Sequence, residues 1–483
     1  MSDSPSKQTD WSYFCVIGKL AESAQSRRVE PTGPAFAGSF AQVRSYQVAV
    51  ETFTALVTAT VAGLALALPI DFGWTSQTSA LQLDLLAYSL PRAIAAGVLV
   101  AMIVAVLLTT LGSPRAAWIT TAGGLVALLA NHSLGHASDP HSSLSTMNFI
   151  DSLAGGLVLG ALGAAVLHHR LPAFGWTLGI LISLLLGSVN PVPRVGGTID
   201  QTVGEHWQAT DMPPVWMIVL ALILAVLGVL ANRKQPVTQR VSIELPLTPI
   251  LAGVLLVLIT LASAEWLSRH GGSLAGVFLA AATAVGTAMI AAMLLPGRDG
   301  EIVLLAVGLS AVGSATIAAE LPAWSVPLLV AVSALGMWTG SRHPATYACL
   351  GAAILAGLLT ALDPDTELAV VIVGEAAIVS WLFGFALVSV RPRYVPSRVL
   401  GTMVIFVPSA VLGMRDYAAR GDYALQSTGH APLCTVDSGN TALPAWTSML
   451  VAAGCAAGVL ALRRSRPQVA EPNGDLADAT ATD

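Results

Sequence analysis

Apolar runs of about twenty residues recur from one end of this chain to the other, and that recurrence limits its folds more than any other feature. They fall at roughly 48–70, 90–112, 116–134, 148–168, 174–193, 214–232, 245–265, 273–296, 301–319, 323–340, 344–362, 367–390, 396–414 and 444–462. Each approaches the ~20 residues that carry a helix across the hydrocarbon core of a bilayer. In lipid every backbone N–H and C=O must be satisfied within the protein, and a helix does this within itself. The pattern predicts an all-α polytopic membrane protein with about fourteen transmembrane helices. Only 11% of the 483 residues are charged and 54% are hydrophobic, too little charge to cover a soluble surface of this size.

What lies outside the runs is polar. Residues 1–46, with SPSKQTD and AQSRRVEPTGP, read as a cytoplasmic extension, too polar at the start for a secretory signal. Residues 467–483 read as a disordered cytoplasmic tail. A net charge of -5 weighs against a nucleic-acid partner. Of the four cysteines, Cys349 and Cys455 sit in apolar runs, Cys15 in the polar extension and Cys434 in a long loop, so no disulfide is expected. The histidines are scattered, and the adjacent pair His168 and His169 diverges on a helix, so neither a metal nor a cofactor is expected.

Basic residues test the sidedness. With the N-terminus inside, inside connections hold Arg115, Arg170, Arg233, Lys234, Arg240, Arg298, Arg342, Arg391, Arg393, Arg398, Arg463, Arg464 and Arg466. Outside segments hold Arg92, Arg194, Arg269, Arg415 and Arg420. Every inside connection is basic, which predicts an even number of spans and both termini in the cytoplasm of a bacterial inner membrane.

The chain also echoes itself. TTLGSPRAAWITTAGG around Arg115 is matched by MWTGSRHPATYACLGAA around Arg342, and HHRLPAFGWTLG after the fourth run by VRPRYVPSRVLG after the twelfth. Arg115 and Arg342 are 227 residues apart, and Arg170 and Arg391 are 221 apart. Two echoes at nearly one offset predict two six-helix bundles with two inserted helices (6+2+6). The expected divisions are a bundle at 47–232, a linker and two helices at 233–297, and a second bundle at 298–466.

That plan resembles the fourteen-helix drug:proton antiporter branch of the major facilitator superfamily. LALALPIDFGWTSQTSALQLDLLAYSLPRA (64–93) is similar to the branch's ALP at the end of helix 1 followed by AYxL opening helix 2, on Ala67, Leu68, Pro69 and Ala87, Tyr88, Ser89, Leu90. LGSPR resembles its helix 2–3 turn motif, keeping Gly112 and Arg115, and ALGAA at 161–165 resembles the end of its helix 4 motif. In GSVNPVPRVGG (187–197), Pro193, Gly196 and Gly197 stand in the register of its helix 5 P-x-x-G-G, which the resemblance makes a close-packing hinge. Thr60 and Leu157 replace the aspartate and arginine that the branch ties to proton coupling.

Charges inside spans are costly and mark function unless paired. Glu375 in VIVGEAAIVSW is the deepest carboxylate; it reads as a proton-coupling group or cation contact, or as a structural carboxylate closing a helix contact beside Gly374. Asp151 reads as a coupling candidate or as a charge favoured by a helix N-terminus. Glu51 and Arg92 begin spans and either serve transport or snorkel. Arg194 reads as a gating or anion contact at the outer mouth, or as an ordinary loop residue. Glu265 and Glu320 read as interfacial, and His132 as a satisfied polar residue or a proton relay.

The resulting expectation is a secondary transporter, an exporter of a hydrophobic or amphipathic, drug-like or lipid-like small molecule, lodged in the lipid bilayer and coupled to protons. No ATP-binding P-loop occurs, so an ion gradient would drive it. The alternatives are a non-transporting scaffold on a transporter fold, and a membrane transferase. An enzyme is not expected, since the first outside loop offers only Asp71 and Asp84.

Overall fold

Each of the apolar runs contains a helix in the computed structural model, which describes residues 34–68, 80–137, 144–189, 212–233, 247–270, 273–317, 321–362, 368–390, 392–415 and 442–466. The helices are α1 (Pro34–Ala67), α2 (Ala80–Leu111), α3 (Pro114–Ala137), α4 (Leu144–Val166) and α5 (Arg170–Gly187). They continue with α6 (Val215–Ala231), α7 (Leu247–His270), α8 (Leu274–Leu294), α9 (Glu301–Thr316) and α10 (Val326–Arg342). The last four are α11 (Thr346–Leu362), α12 (Ala369–Ser389), α13 (Val395–Met403) and α14 (Leu443–Ser465). Among the described residues there is no strand.

Among the described residues ten segments are both long and apolar enough to cross a membrane, so the chain is a multi-pass membrane protein. Helices α6, α9 and α11 are apolar but shorter, and α3 carries the polar stretches TTAGG and NHSLGHA. The chain divides into two compact units, Met1–Val50 and Glu51–Asp483. Helix α1 starts at Pro34, inside the stretch read as an irregular extension. Proline suits a first helical position, and after Gly38 no proline or glycine interrupts the chain before Gly63.

Within the second unit successive helices run up and down, and its basic ends meet. Thr109 of α2 lies near Tyr394, Asp299 accepts from Arg393 and Tyr394, and Glu301, Thr346 and Arg463 join the starts of α9 and α11 to the end of α14. At the other end, Trp216, Trp266, Trp324 and Trp446 stand exposed near helix termini, as interfacial tryptophans do at a bilayer surface.

Packing recurs with a shift of eight helices. Helix α2 packs along α4, and α3 along both α4 and α6; α10 packs along α12, and α11 along both α12 and α14. Helix α5 crosses onto α10 and α12, and α13 crosses onto α2 and α4. Helices α7 and α8 pair with each other, α7 leaning on α2 and α8 on α9 and α14.

Small residues make the two strongest pairings possible. A Cβ on Gly156 would stand 2.0 Å from the carbonyl oxygen of Gly97, and one on Gly160 would stand 2.1 Å from that of Ala101. Across α10 and α12, a Cβ on Gly336 would stand 2.3 Å from the carbonyl oxygen of Trp381, and one on Gly384 would stand 2.2 Å from that of Ser333. Side chains have been removed along both seams so that backbones touch, the usual way helices associate in lipid.

Helix α13 ends at Met403, passes through a 3-10 turn at Val404–Phe406, and helix resumes at Ala410. Pro408 lies in the gap and has no N–H to continue the ladder. The gap borders a cavity of about 20 Å³ lined by Thr260, Ser310, Val404, Pro408, Ser409 and Val451 among others. That is room for one water molecule.

Candidate functional site

The α3–α4 hairpin brings four polar side chains to one depth. Asn131 and His132 lie near the end of α3, and Asn148 and Asp151 lie about as far into α4. His132, Asn148 and Asp151 are 0% exposed. His132 Nε2 stands 3.1 Å from Asp151 Oδ2. Asn131 Nδ2 donates to Asp151 Oδ1 at 2.7 Å and to the Met147 carbonyl at 3.0 Å. Neither side-chain polar atom of Asn148 has a hydrogen-bond partner among the described residues.

A carboxylate this far from water needs compensation. Asn131 supplies a neutral donor, while the imidazole is the side-chain type whose charge changes near neutral pH. The arrangement therefore sets a carboxylate against an imidazole with neither exposed to solvent. The neighbouring Ser152 ties the site to the rest of the bundle. Its hydroxyl donates to the Leu66 carbonyl of α1 at 3.1 Å, and its own carbonyl faces Gly97 of α2. A change of charge at Asp151 thus falls one residue from the contacts of α4 with α1 and α2.

A second polar group closes the basic end. Arg463 grips Glu301 with two hydrogen bonds, Nε to Oε1 at 2.9 Å and Nη2 to Oε2 at 2.7 Å, and Nη2 also donates to Thr346 Oγ1 at 2.9 Å. Its guanidinium lies 4.6 Å over the Tyr347 ring. Arg466 donates to the carbonyls of Met293, Leu295 and Gly297, and Arg298 donates to the Arg466 carbonyl. This network is a charge-matched fork with its partners in place.

The residues singled out by sequence fare differently. Asp151 is paired in the core and sits two turns into α4, whose first turn holds no acid, so the helix-terminus explanation does not apply. His132, read mainly as a satisfied polar residue, is Asp151's neighbour. Arg92 does not simply snorkel: its Nε and Nη2 bind Glu265 at 2.7 and 3.0 Å, joining α2 to α7. Glu375 is half-buried on α12 and engaged with a neighbour. Beside it, a Cβ on Gly374 would meet no atom within 4 Å among the described residues. Glu51 is half-buried on α1 and likewise engaged. Arg194, the hinge residues Pro193, Gly196 and Gly197, and Glu320 lie outside the described residues.

Gly112 ends α2 with φ +60, a left-handed conformation that favours glycine, and its N–H donates to the Leu108 carbonyl at 3.2 Å. Arg115 is exposed in the first turn of α3. Arg342, its echo, covers the Trp338 ring at 4.1 Å. Thr60 is buried and donates to the Leu56 and Gly179 carbonyls, so it fastens α1 to α5. Leu157 packs towards Gly124 of α3.

Sequence reasoning passed over Asn131, Asn148, Glu301 and Arg463. The first two could have been found by pairing polar residues at equal distances from one hairpin connection. No protein-family profile matches the chain, and no curated protein is significantly similar to it in sequence.

Proposed function

We propose that the chain is a secondary active transporter of the major-facilitator type, exporting small amphipathic, drug-like or lipid-like solutes by alternating access with protons as the coupling ion. The observation that carries this reading is the fully buried His132–Asp151 pair held by Asn131. Buried ionisable groups within spans belong to ion and proton paths more often than to scaffolding. The shared packing plan of α2–α6 and α10–α14 supports two six-helix bundles with α7 and α8 between them. Two such halves, joined where α5 and α13 cross over, suit a rocking motion about a central path. The basic end is the cytoplasmic side in this reading, with both termini there.

A second reading has one specific observation in its favour. Thr60, at the position where the resembled branch carries an aspartate, is a neutral hydroxyl spent on bridging α1 to α5. On that reading the chain is a membrane scaffold on a transporter fold.

One experiment separates the two. The full chain is reconstituted in liposomes, and efflux of a hydrophobic cation is followed with and without a pH gradient. Gradient-driven efflux that disappears in Asp151→Asn and falls steeply in His132→Gln supports transport through this pair. Glu375→Gln, run beside them, tests the second bundle's carboxylate. Efflux that keeps its gradient dependence in Asp151→Asn removes the pair from the mechanism. No efflux from the wild-type chain across a panel of solutes favours the scaffold.

A further inference from the structure

The start of α13 places three side-chain donors together, Tyr394 before the helix and Ser397 and Arg398 in its first turn. Asp299, 8% exposed, accepts the backbone N–H groups of Arg393 and Tyr394 at 3.1 and 2.9 Å, which occupies both carboxylate oxygens. Just beyond it, Ser397 Oγ and Arg398 Nε are shielded from solvent with no hydrogen-bond partner among the described residues, and the Tyr394 hydroxyl is shielded with Thr109 beside it. Ser397 is 0% exposed. Spacing of i, i+3 and i+4 puts the three on one side of the helix.

The turn sits at the basic end, where α13 crosses onto α2 and α4. Tyr394 lies beside Thr109 of α2, and Val399 fills the space over Gly163 of α4. Burial pushes the Tyr394 phenol above its usual range, so it stays a neutral donor. Arg398 as a whole is only half-buried, which leaves a way in from the basic end.

Donors shut away from water without acceptors are costly, and an arginine in a span needs an acceptor more than most. Among the described residues this turn holds no acid, and Asp299 already accepts two backbone N–H groups. The positive end of a nine-residue helix adds to the same demand for negative charge. We propose that Arg398, Ser397 and Tyr394 bind a phosphate-class oxyanion that enters from the basic end, carried either by a lipid headgroup or by a free solute. A tetrahedral oxyanion offers separate oxygens to a guanidinium and two hydroxyls, which a planar carboxylate does less well. The site does not depend on whether the chain transports.

The test uses the full chain, purified in an uncharged maltoside detergent, with thermal unfolding followed against inorganic phosphate. In parallel the chain is placed in nanodiscs of phosphatidylcholine alone or with added phosphatidylglycerol. The expected result is saturable stabilisation by an anion. Its affinity falls about tenfold or more in Arg398→Gln and about threefold or more in Ser397→Ala and Tyr394→Phe. Stabilisation by free phosphate identifies a soluble ligand, and stabilisation by phosphatidylglycerol alone identifies a headgroup. If Arg398→Gln fails to fold, Ser397→Ala decides, because it removes a buried hydroxyl with no partner among the described residues. No stabilisation by either probe, or stabilisation unaltered in the variants, overturns the proposal.

Discussion

Two buried carboxylates, Asp151 on α4 and Glu301 on α9, are held in opposite ways. Glu301 faces Arg463, which binds it through two matched hydrogen bonds near the basic end, with side-chain exposures of 6% and 31%. Asp151 lies in the α3–α4 hairpin with no exposure, facing an amide and an imidazole. Arginine keeps its charge at any ordinary pH, so the Glu301 pair has one stable protonation state. Histidine is the side-chain type that changes charge near neutral pH, so Asp151 faces a different kind of partner. The first arrangement ties helix ends together with a permanent cation, and the second is the one on which the proposed proton coupling rests.

The sharpest way to break this contrast is to neutralise each acid and measure unfolding in detergent. Glu301→Ala strands Arg463 and Thr346 and is expected to cost about 3 kcal/mol, the low end for a broken buried pair because Arg463 is partly exposed. Asp151→Asn is expected to change stability by about 1 kcal/mol or less, since an amide can still meet Asn131, while it removes gradient-driven flux. If Asp151→Asn unfolds the protein and Glu301→Ala does not, the two roles are reversed.

The glycine seams give the next largest effect. Gly156→Ala drives a methyl against the Gly97 carbonyl and is expected to cost about 2 kcal/mol. Gly123→Ala, on α3 where no atom lies within 4 Å of the new carbon, is expected to be neutral or to stabilise by up to about 1 kcal/mol. Thr60→Val is smaller, about 1 kcal/mol for the lost bridge to Gly179. A larger loss there would mean that the hydroxyl does more than tie α1 to α5. Arg92→Gln comes last, at about 0.5 kcal/mol, because this pair is the most exposed of the three, at 53% and 31%.

Hydropathy and period placed each apolar run on a helix, because lipid leaves the backbone no other economical state. The repeat was legible in two turns, around Arg115 and Arg342, although those turns use their arginines differently. Pairings were less legible. Asp151 read alone resembled a helix-terminal charge, and only the fold of the hairpin sets His132 against it. Glu301 and Arg463 are 162 residues apart, so no local pattern joins them. Glu375 stood out by depth in its run, yet its helix presents open space at Gly374. Depth along one helix says nothing of what lies across from it.

The gap in α13 has a mechanical meaning. A continuous helix transmits a tilt at one end to the other, whereas a rod with a missing section acts as a joint. Below the gap, Val395–Met403 packs on α2, α4 and α9, with Gly401 against Ile302 of α9. Above it, Arg415 is fastened to the Ser314 and Ile317 carbonyls at the end of α9, and Ser409 donates to Ser314. Both segments are therefore anchored on α9, and the break at Pro408, beside the water-sized space, is where they meet without a helical ladder to stiffen them.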